Sequence, residues 1–361
     1  MKKNLFFYFF ILIPLFVNAQ VPSSYYDAAN NKNGQALRIA LHQIIKNHTV
    51  KSYGSLWSAF QQTDKKSNGQ VWDIYSDNPN GQPPYVYHFG SDQCGQYDQE
   101  GDCYNREHSW PKSYFNNSAP MSSDLFHIYP TDGFVNGKRS NYSYGVVGAS
   151  NPWMSQNGSK LGMSDPSIGY SGIVFEPIDE YKGDLARTYF YMSTRYYSED
   201  GGWQSWPMAN GADLKPWAAA MLLEWHNADP VSSKEIDRNN AIYAIQNNRN
   251  PFIDHPEYAD CIWGNGDCST LGLVATHNDP LSIQIYPNPA STKVKINWEV
   301  LNPAEVIAID LMNTQGQLLY HQQKQAVEKQ TLIDVSTYSS GIYWIRITNQ
   351  QKSITKKIVV H

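Results

Sequence analysis

Apolar side chains recur at helical spacing in the part of the chain before residue 275. One stretch begins at Leu37, and the apolar positions that follow it on the same face are Leu41, Ile44 and Ile45. Another begins at Pro216, because proline suits the first turn of a helix, where its missing N–H is not needed. The apolar positions after it are Ala218, Met221, Leu222 and Trp225. Both patterns predict helices that pack against a core.

Polar residues predict a third helix. Ser232 and Glu235 have the spacing of a capping box, in which the serine side chain and the glutamate side chain each bond a backbone N–H of the other residue. The predicted interior runs from Ile236 to Asn247, and Pro251 is expected to stop the helix.

After residue 275, β-branched and apolar residues alternate with polar ones in short runs. These runs lie at residues 283–285, 294–298, 306–311, 342–347 and 354–360. Their alternation predicts strands, and their spacing favours a small β-sandwich. We therefore predict an α+β protein with a larger domain at residues 20–270, a linker at 271–280 and a C-terminal β-sandwich at 281–361.

The first residues have the pattern of a secretory signal peptide. Lys2 and Lys3 precede an apolar run at residues 5–17, and a small-x-small cleavage pattern ends at Ala19. A membrane anchor is the alternative, but the run is shorter than the ~20 residues that a spanning helix needs. We predict that residues 1–19 direct export through the periplasm and are removed, without stable membrane insertion.

Four cysteines follow the predicted signal peptide, and export would place them in an oxidising compartment. Three pairings are possible. The short intervening loops favour the pair Cys94–Cys103 and the pair Cys261–Cys268, and neither spacing resembles a zinc site. A Cys94–Cys103 bridge would lie just before Glu107 and would brace the segment that carries it.

Residues suited to phosphodiester chemistry occur in two segments. Glu107 and His108 are adjacent in the first, and the second contains Asn136, Lys138 and Arg139. An imidazole accepts a proton from water near neutral pH. A carboxylate and an amide carbonyl are ligands that suit Mg²⁺. A guanidinium or an ammonium group neutralises charge on a phosphate.

The same segments resemble the signature of the bacterial endonuclease I family, secreted non-specific nucleases with a ββα-metal (His-Me) finger. The resemblance covers roughly residues 25 to 265 and rests on several ordered motifs. These are Glu107-His108, Asp124-Leu125, residues 135–141 (VNGKRSN), residues 175–177 (FEP), residues 181–192 (YKGDLARTYFYM) and residues 248–254 (NRNPFID). A lone Glu-His pair would be a weak signal, but the ordered set is specific.

The resemblance implies a ββα-metal finger core with surrounding helices and a metal-assisted hydrolysis of DNA, with RNA as a second substrate class. His108 is expected to be the general base, and Glu107 with Asn136 to hold one Mg²⁺, with Mn²⁺ or Ca²⁺ as alternatives. Arg139 or Lys138 is expected to neutralise the phosphate, and Asn136 to open the crossing helix. Adjacent residues on a strand point to opposite faces, so one site can use both Glu107 and His108 only if the strand ends or bends there.

Further residues are candidates for contact with substrate. Lys112, Lys138, Asn141 and Arg187 are predicted to bind it, although Asn141 is also suited to a capping role. His127 is displaced by one residue from the family order Asp-Leu-His, which favours a supporting place for it over a direct catalytic one.

Net charge restricts where nucleic acid can bind. The formal charge of the chain is −5, two lysines lie in the predicted signal peptide, and residues after 280 hold eight Lys or Arg against five Asp or Glu. Residues 20–280 therefore carry a charge near −10. A nucleic-acid binder needs a basic footprint, which must be local here. The candidate cations are Lys112, Lys138, Arg139, Lys182, Arg187 and Arg195.

The C-terminal residues resemble the sorting domain of type IX secretion cargo. The matching segments are 285–290 (IYPNPA), 313–317 (NTQGQ), 341–343 (GIY) and the terminal run at 356–360 (KKIVV). The resemblance implies the type IX machinery as a partner and a secreted or cell-surface location. A carbohydrate-binding or adhesive β-module is the alternative.

The sequence therefore favours a secreted, monomeric, Mg²⁺-dependent endonuclease. Two other classes are weighed against it. One is a metal-dependent hydrolase of another phosphoester, which a digestion of plasmid DNA with and without EDTA would separate from a nuclease. The other is a surface adhesin with an inactive nuclease-like domain, and the joint presence of Glu107, His108 and Asn136 argues against it.

Overall fold

A computed structural model describes residues 21–22, 24–266, 268, 281–300, 306–314, 316–348 and 353–360. The chain divides into two compact units, one up to Ser269 and one from Thr270. The predicted signal peptide and the predicted linker lie outside the described residues, and both stay predictions.

The first unit combines helices with short strands. Its α-helices are α1 (Gly34–Ile45), α2 (Leu56–Thr63), α3 (Gly133–Arg139), α4 (Lys182–Arg195), α5 (Pro216–Ala228), α6 (Ser233–Gln246), α7 (Pro251–Asp254) and α8 (Glu257–Trp263). Its strands are β1 (Tyr104–His108), β2 (Ile128–Asp132), β3 (Ser143–Tyr144), β4 (Trp153–Met154), β5 (Lys160–Met163), β6 (Ile173–Glu176), β7 (Ala209–Asn210) and β8 (Asp213–Leu214). The predicted α+β class is confirmed.

The predicted starts of two helices are confirmed, but the predicted end of α6 is wrong. Pro216 opens α5, and Ser232 with Glu235 forms the complete capping box of α6. The helix α6 ends at Gln246, because Asn247 adopts a left-handed conformation with φ 62°. Pro251 therefore does not stop α6 but opens α7, where its fixed φ suits the first turn.

Helix α4 runs through the core of the first unit. All of its residues except Lys182 are buried, and it packs against α1, α5 and α7. A helix that is buried all round has to satisfy its polar side chains internally, and α4 does so for most of them with ion pairs and hydrogen bonds to its neighbours.

A hairpin-like strand pair and a short helix follow one another in the order strand, strand, helix. Strands β1 and β2 pair antiparallel, with Glu107 opposite Tyr129 and His108 opposite Ile128. Helix α3 begins directly after β2, and Asp132 caps it by accepting the backbone N–H of Val135 at 2.7 Å. The helix packs back onto both strands.

Both predicted disulfides are present. Cys94 pairs with Cys103 and Cys261 pairs with Cys268, with Cα–Cα separations of 5.7 and 5.6 Å. The first bridge closes a loop that ends one residue before β1.

The second unit is built from two antiparallel sheets. Its strands are β9 (Leu281–Tyr286), β10 (Lys293–Val300), β11 (Val306–Met312), β12 (Leu318–Gln325), β13 (Gln330–Asp334), β14 (Gly341–Thr348) and β15 (Ser353–Val360). The sheet orders are β13-β10-β9 and β12-β11-β14-β15. Aliphatic side chains from both sheets share one core around Trp298, which makes this unit the predicted β-sandwich.

Candidate active site at the end of strand β1

Alternation along β1 separates its side chains between two faces. Asn105 and Glu107 face α3, where Asn136 Nδ2 donates to Asn105 Oδ1 at 2.6 Å and Arg139 Nη1 donates to Glu107 Oε1 at 2.8 Å. Arg106 and His108 point the other way. Glu107 and His108 are the last two residues of β1, so their side chains lie on opposite faces at the point where the strand ends.

Glu107 is a buried carboxylate, and its hydrogen bonds to described residues all go to one of its two oxygens. Its Oε1 accepts from Arg139 and from the hydroxyl groups of Tyr75 at 2.9 Å and Tyr144 at 3.5 Å. Within the described residues, no side chain or backbone group donates to Oε2. Burial raises the pKa of Glu107 above its ordinary value, although the Arg139 guanidinium opposes the shift.

Among the described residues, no group donates to Asn136 Oδ1 either. Asn136 lies inside α3 and not at its first residue, as the sequence-based expectation had it, because the helix begins at Gly133. Its Nδ2 is held by Asn105, so its Oδ1 points away from that bond. The placement brings one carboxylate oxygen and one amide oxygen to the same face of the hairpin.

Arg139 is buried and ties the end of β1 together. Its Nη1 bonds Glu107 and the carbonyl of His108 at 2.9 Å, and its Nη2 bonds the carbonyl of Ser109 and, at 3.4 Å, the hydroxyl of Tyr189. The side chain of Arg139 is 1% exposed. This placement differs from the expected phosphate contact, because these donors are already engaged inside the protein.

His108 is held in one tautomer by its partner. Its Nε2 lies 3.3 Å from the carbonyl oxygen of Ser122, and since a carbonyl only accepts, Nε2 carries the proton. Nδ1 then keeps its lone pair, and no described residue bonds to it. Burial lowers the pKa of His108 to about 3, and the neighbouring His127 adds to the shift. The imidazole is therefore neutral over the ordinary pH range.

His127 supports His108 from behind. Its ring meets that of His108 edge-to-face at 5.5 Å, and its Nε2 donates to the carbonyl of Met121 at 2.7 Å. Its Nδ1 is buried without a partner among the described residues. Burial lowers the pKa of His127 to about 4, although Asp124 opposes the shift. This geometry agrees with the supporting place that the sequence predicts for His127.

The loop closed by Cys94–Cys103 braces α3 through an aromatic side chain. Tyr97 lies against Gly133 and Gly137, where an added Cβ would come within 2.5 and 2.7 Å of its ring and its hydroxyl. Glycine at both positions allows this close approach. The bridge therefore acts on the helix that carries Asn136, as well as on the strand.

The predicted substrate-binding residues fall into two groups. Lys112, Lys138 and Asn141 are exposed close to the ends of β1 and α3. Arg187 is fully buried, and its guanidinium forms a two-pronged ion pair with Glu235. In this structure the ion pair of Arg187 with Glu235 joins α4 to α6. The guanidinium is buried and already paired, so it offers no donor to the surface.

Sequence reasoning did not single out several residues that contact the predicted site. These are Tyr53, Tyr75, Arg106 and Tyr144. Arg106 was accessible to sequence reasoning, since a residue two positions before His108 on a strand shares its face. The tyrosines come from distant segments, and no local pattern marks them.

The donor set fits a hard divalent cation. Among the described residues no three His, Cys, Asp or Glu side chains cluster closely enough to hold a metal ion. Glu107 Oε2 and Asn136 Oδ1 form a smaller set, and Mg²⁺ commonly takes one or two protein oxygens and keeps several waters. The residues present therefore suit such an ion.

Residues 33–257 match the family described as Endonuclease I. The chain belongs to the Endonuclease I family. Its relatives include an extracellular ribonuclease of Bacillus amyloliquefaciens, 38% identical over 66% of this chain and 78% of that protein. A second is an extracellular ribonuclease of Bacillus subtilis (strain 168), 36% identical over the same shares. A periplasmic deoxyribonuclease of Aeromonas hydrophila is 26% identical over 37% of this chain and 48% of its own length.

Residues 284–361 match the secretion system C-terminal sorting domain, which covers most of the second unit. Together the two matches describe a nuclease of the Endonuclease I family that is secreted or held at the cell surface. No described helix is both long enough and apolar enough to cross a membrane.

Proposed function

We propose that the protein is a Mg²⁺-dependent endonuclease that cuts DNA, and RNA as a second substrate class, without sequence specificity. In this proposal β1, β2 and α3 form the ββα-metal finger, and the active protein is a monomer. One observation carries the proposal. At the end of β1, His108 is a neutral imidazole and the residue before it, Glu107, is a buried carboxylate. Within the described part of the chain, neither His108 Nδ1 nor Glu107 Oε2 has a hydrogen-bond partner.

His108 acts as the general base. Its Nδ1 takes a proton from the water that attacks phosphorus, and the carbonyl of Ser122 holds the opposite N–H as the ring becomes positive. A base whose pKa is about 3 in the free protein is weak. A phosphodiester anion beside the ring favours the charged imidazolium and raises that pKa towards the working range.

Glu107 and Asn136 hold the metal through Oε2 and Oδ1. When bound, Mg²⁺ supplies positive charge at the scissile phosphate. Arg139 positions Glu107 by occupying its other oxygen, and it fixes the strand end through the carbonyls of His108 and Ser109. The proposed role of Arg139 is therefore positioning, and phosphate contact falls to exposed cations such as Lys112 and Lys138.

Digestion of nucleic acid by the mature protein, residues 20–361, tests the proposal. Supercoiled plasmid and a single-stranded RNA are incubated with Mg²⁺, with EDTA, and with EDTA followed by excess Mg²⁺. We expect cleavage with Mg²⁺, none with EDTA, and recovery in the third sample, while His108→Ala serves as the inactive control. Cleavage that persists in EDTA would exclude the metal. Hydrolysis of a simple phosphomonoester without any cleavage of plasmid or RNA would favour the other phosphoester hydrolase.

A further inference from the structure

An aromatic side chain with two cations lies beside His108. Tyr53 belongs to a short 3-10 helix, Tyr53–Ser55, and its ring is stacked with that of His108 at 5.9 Å with 25° between the planes. The guanidinium of Arg106 lies over the Tyr53 ring at 3.7 Å, and Lys112 Nζ lies 5.9 Å from it. Tyr53 is 38% exposed.

The tyrosine side chain is covered only in part. Arg106 and His108 project from the same face of β1, since they are two residues apart on a strand. Both contact the Tyr53 ring, and 38% of the Tyr53 surface stays exposed. An aromatic face of this kind accepts a stacked nucleobase, because every base has a π-face.

The two cations are free to bind an anion. Arg106 Nη1 donates to the carbonyl of Tyr53 at 2.9 Å, and the guanidinium also lies over the Trp57 ring at 4.4 Å. Its other nitrogens have no hydrogen-bond partner in the described part of the chain. Neither Arg106 nor Lys112 forms a salt bridge with a described residue. Other candidate cations differ, since Lys182, Arg187 and Arg195 are each paired with carboxylates. The local basic footprint that an acidic nuclease needs is therefore found here.

We propose that Tyr53, Arg106 and Lys112 form a nucleotide-binding subsite next to His108. An unpaired base stacks on the outer face of Tyr53, and the phosphate of that nucleotide takes hydrogen bonds from Arg106 and Lys112. This proposal rests on the proposed nuclease function and deepens it. It assigns the subsite to a single-stranded segment, because a base within a duplex is already stacked between its neighbours and is not available to the ring.

Steady-state cleavage of a short labelled oligonucleotide, single-stranded or annealed to its complement, tests the subsite. Tyr53→Ala should raise KM for the single strand roughly tenfold, the effect of losing one stacked base, with kcat nearly unchanged. The increase should be smaller for the duplex. Tyr53→Trp, which keeps a stacking face, should restore KM. Arg106→Ala and Lys112→Ala should each weaken the salt dependence of single-strand binding, with a slope change of roughly 0.7 per lost phosphate contact.

The second unit offers a matched control. Tyr286 is 43% exposed and carries Lys295 Nζ at 5.8 Å from its ring, yet it lies on β9, outside the nuclease unit. Tyr286→Ala and Lys295→Ala should leave KM, kcat and salt dependence unchanged. Equal effects of Tyr53→Ala and Tyr286→Ala would exclude a special role for Tyr53.

Three other outcomes would overturn the subsite. If Tyr53→Ala lowers kcat and leaves KM unchanged, the ring only supports His108. If single strand and duplex respond equally, no unpaired base stacks there. If the wild-type protein neither binds nor cuts either oligonucleotide, the nuclease proposal fails together with the subsite, whereas normal cleavage with an unaltered KM in Tyr53→Ala removes the subsite alone.

Discussion

The interiors of the two units differ in the kind of residue that they bury. The nuclease unit buries complete ion pairs, and in four of them both side chains are at most 5% exposed, namely Arg139–Glu107, Arg187–Glu235, Arg187–Asp184 and Arg238–Asp64. The described core of the sandwich is aliphatic apart from Trp298 and Tyr343. Its buried carboxylate Asp310 pairs with His321 and Arg346, whose side chains are 48% and 45% exposed.

This difference indicates that buried ion pairs in the nuclease unit orient side chains more than they stabilise the fold. Moving two charges out of water costs more free energy than burying a well-packed apolar pair of the same volume. Buried ion pairs therefore add little to stability by themselves. They do fix direction, because a guanidinium bonds only along its N–H vectors. The nuclease unit uses that property at the end of β1, whereas the sandwich, with no chemistry assigned to it, is held by patterned aliphatic side chains.

The largest expected effect follows from removing the base. His108→Ala should lower turnover by roughly 10²–10⁴ while Mg²⁺ affinity stays nearly intact. Glu107→Ala and Asn136→Ala should instead weaken metal binding, and excess Mg²⁺ should restore part of their activity. The test measures turnover of the three variants as a function of Mg²⁺ concentration. Loss of metal affinity in His108→Ala, with affinity retained in Glu107→Ala, would exchange the roles.

The next effect concerns buried charge in the nuclease unit. Arg139→Met leaves Glu107 without its buried partner and should cost about 3–5 kcal/mol in the free energy of unfolding. In the sandwich, Ile309→Val should cost only about 0.5–1.5 kcal/mol. Urea unfolding followed by tryptophan fluorescence reports mainly on the first unit, which holds nine of the eleven tryptophans.

Two matched variants sharpen that prediction. Arg238→Met breaks another buried pair away from β1 and should lower stability without changing Mg²⁺ affinity, whereas Arg139→Met should change both. Adding Glu107→Gln to Arg139→Met should recover part of the lost stability, because no buried charge is left unpaired. A stable Arg139→Met protein with unaltered metal binding would show that this pair does not tether the site.

A smaller effect is expected when pH changes the stability of the nuclease unit through its buried histidine His226. Burial lowers the pKa of His226 to about 4, with a contribution from Arg187, whereas an unfolded histidine titrates near 6.5. The unfolded state therefore binds the extra proton first, and this residue removes stability as pH falls from about 6.5 to about 4. The free-energy gap between wild type and His226→Gln should narrow by up to about 1.4 kcal/mol per pH unit in that window.

Urea unfolding at a series of pH values measures that gap. A gap that widens on acidification would show that His226 is charged in the folded protein.

The smallest expected effect belongs to the sandwich. Residues 20–275 alone should digest DNA at a rate close to that of the full chain, because every residue proposed for the chemistry lies in the first unit. A loss of more than about tenfold, equal to ~1.4 kcal/mol in the activation barrier, would mean that the second unit contributes to the reaction.

Local patterns predicted much of the fold. The start of α5 at Pro216, the capping box of α6 and both disulfides follow from residues close together in the chain. Two strands of the sandwich, β12 and β13, were missed. Their sequences are rich in glutamine and other polar residues, and all eight side chains of β12 stay partly or fully exposed, so alternation is weak there.

The site was predictable only in part. The motifs selected Glu107, His108 and Asn136, and strand alternation already placed the first two on opposite faces. The partners of these residues were not predictable. Tyr75 lies 32 positions and Tyr53 lies 55 positions from the residues that they contact at the site, in segments without a marking pattern.

The sequence by itself determined three helices of the first unit, five strands of the second, the cysteine pairs and the two family resemblances, because each depends on neighbours a few residues apart. Tertiary structure alone decided which cations are free. Arg139 and Arg187 look as available in the sequence as Arg106, yet folding surrounds the first two with carboxylates and carbonyls and leaves Arg106 stacked on Tyr53. The cost of burying an unpaired charge forces each interior arginine to find a partner, and that partner is chosen by the packing of distant segments.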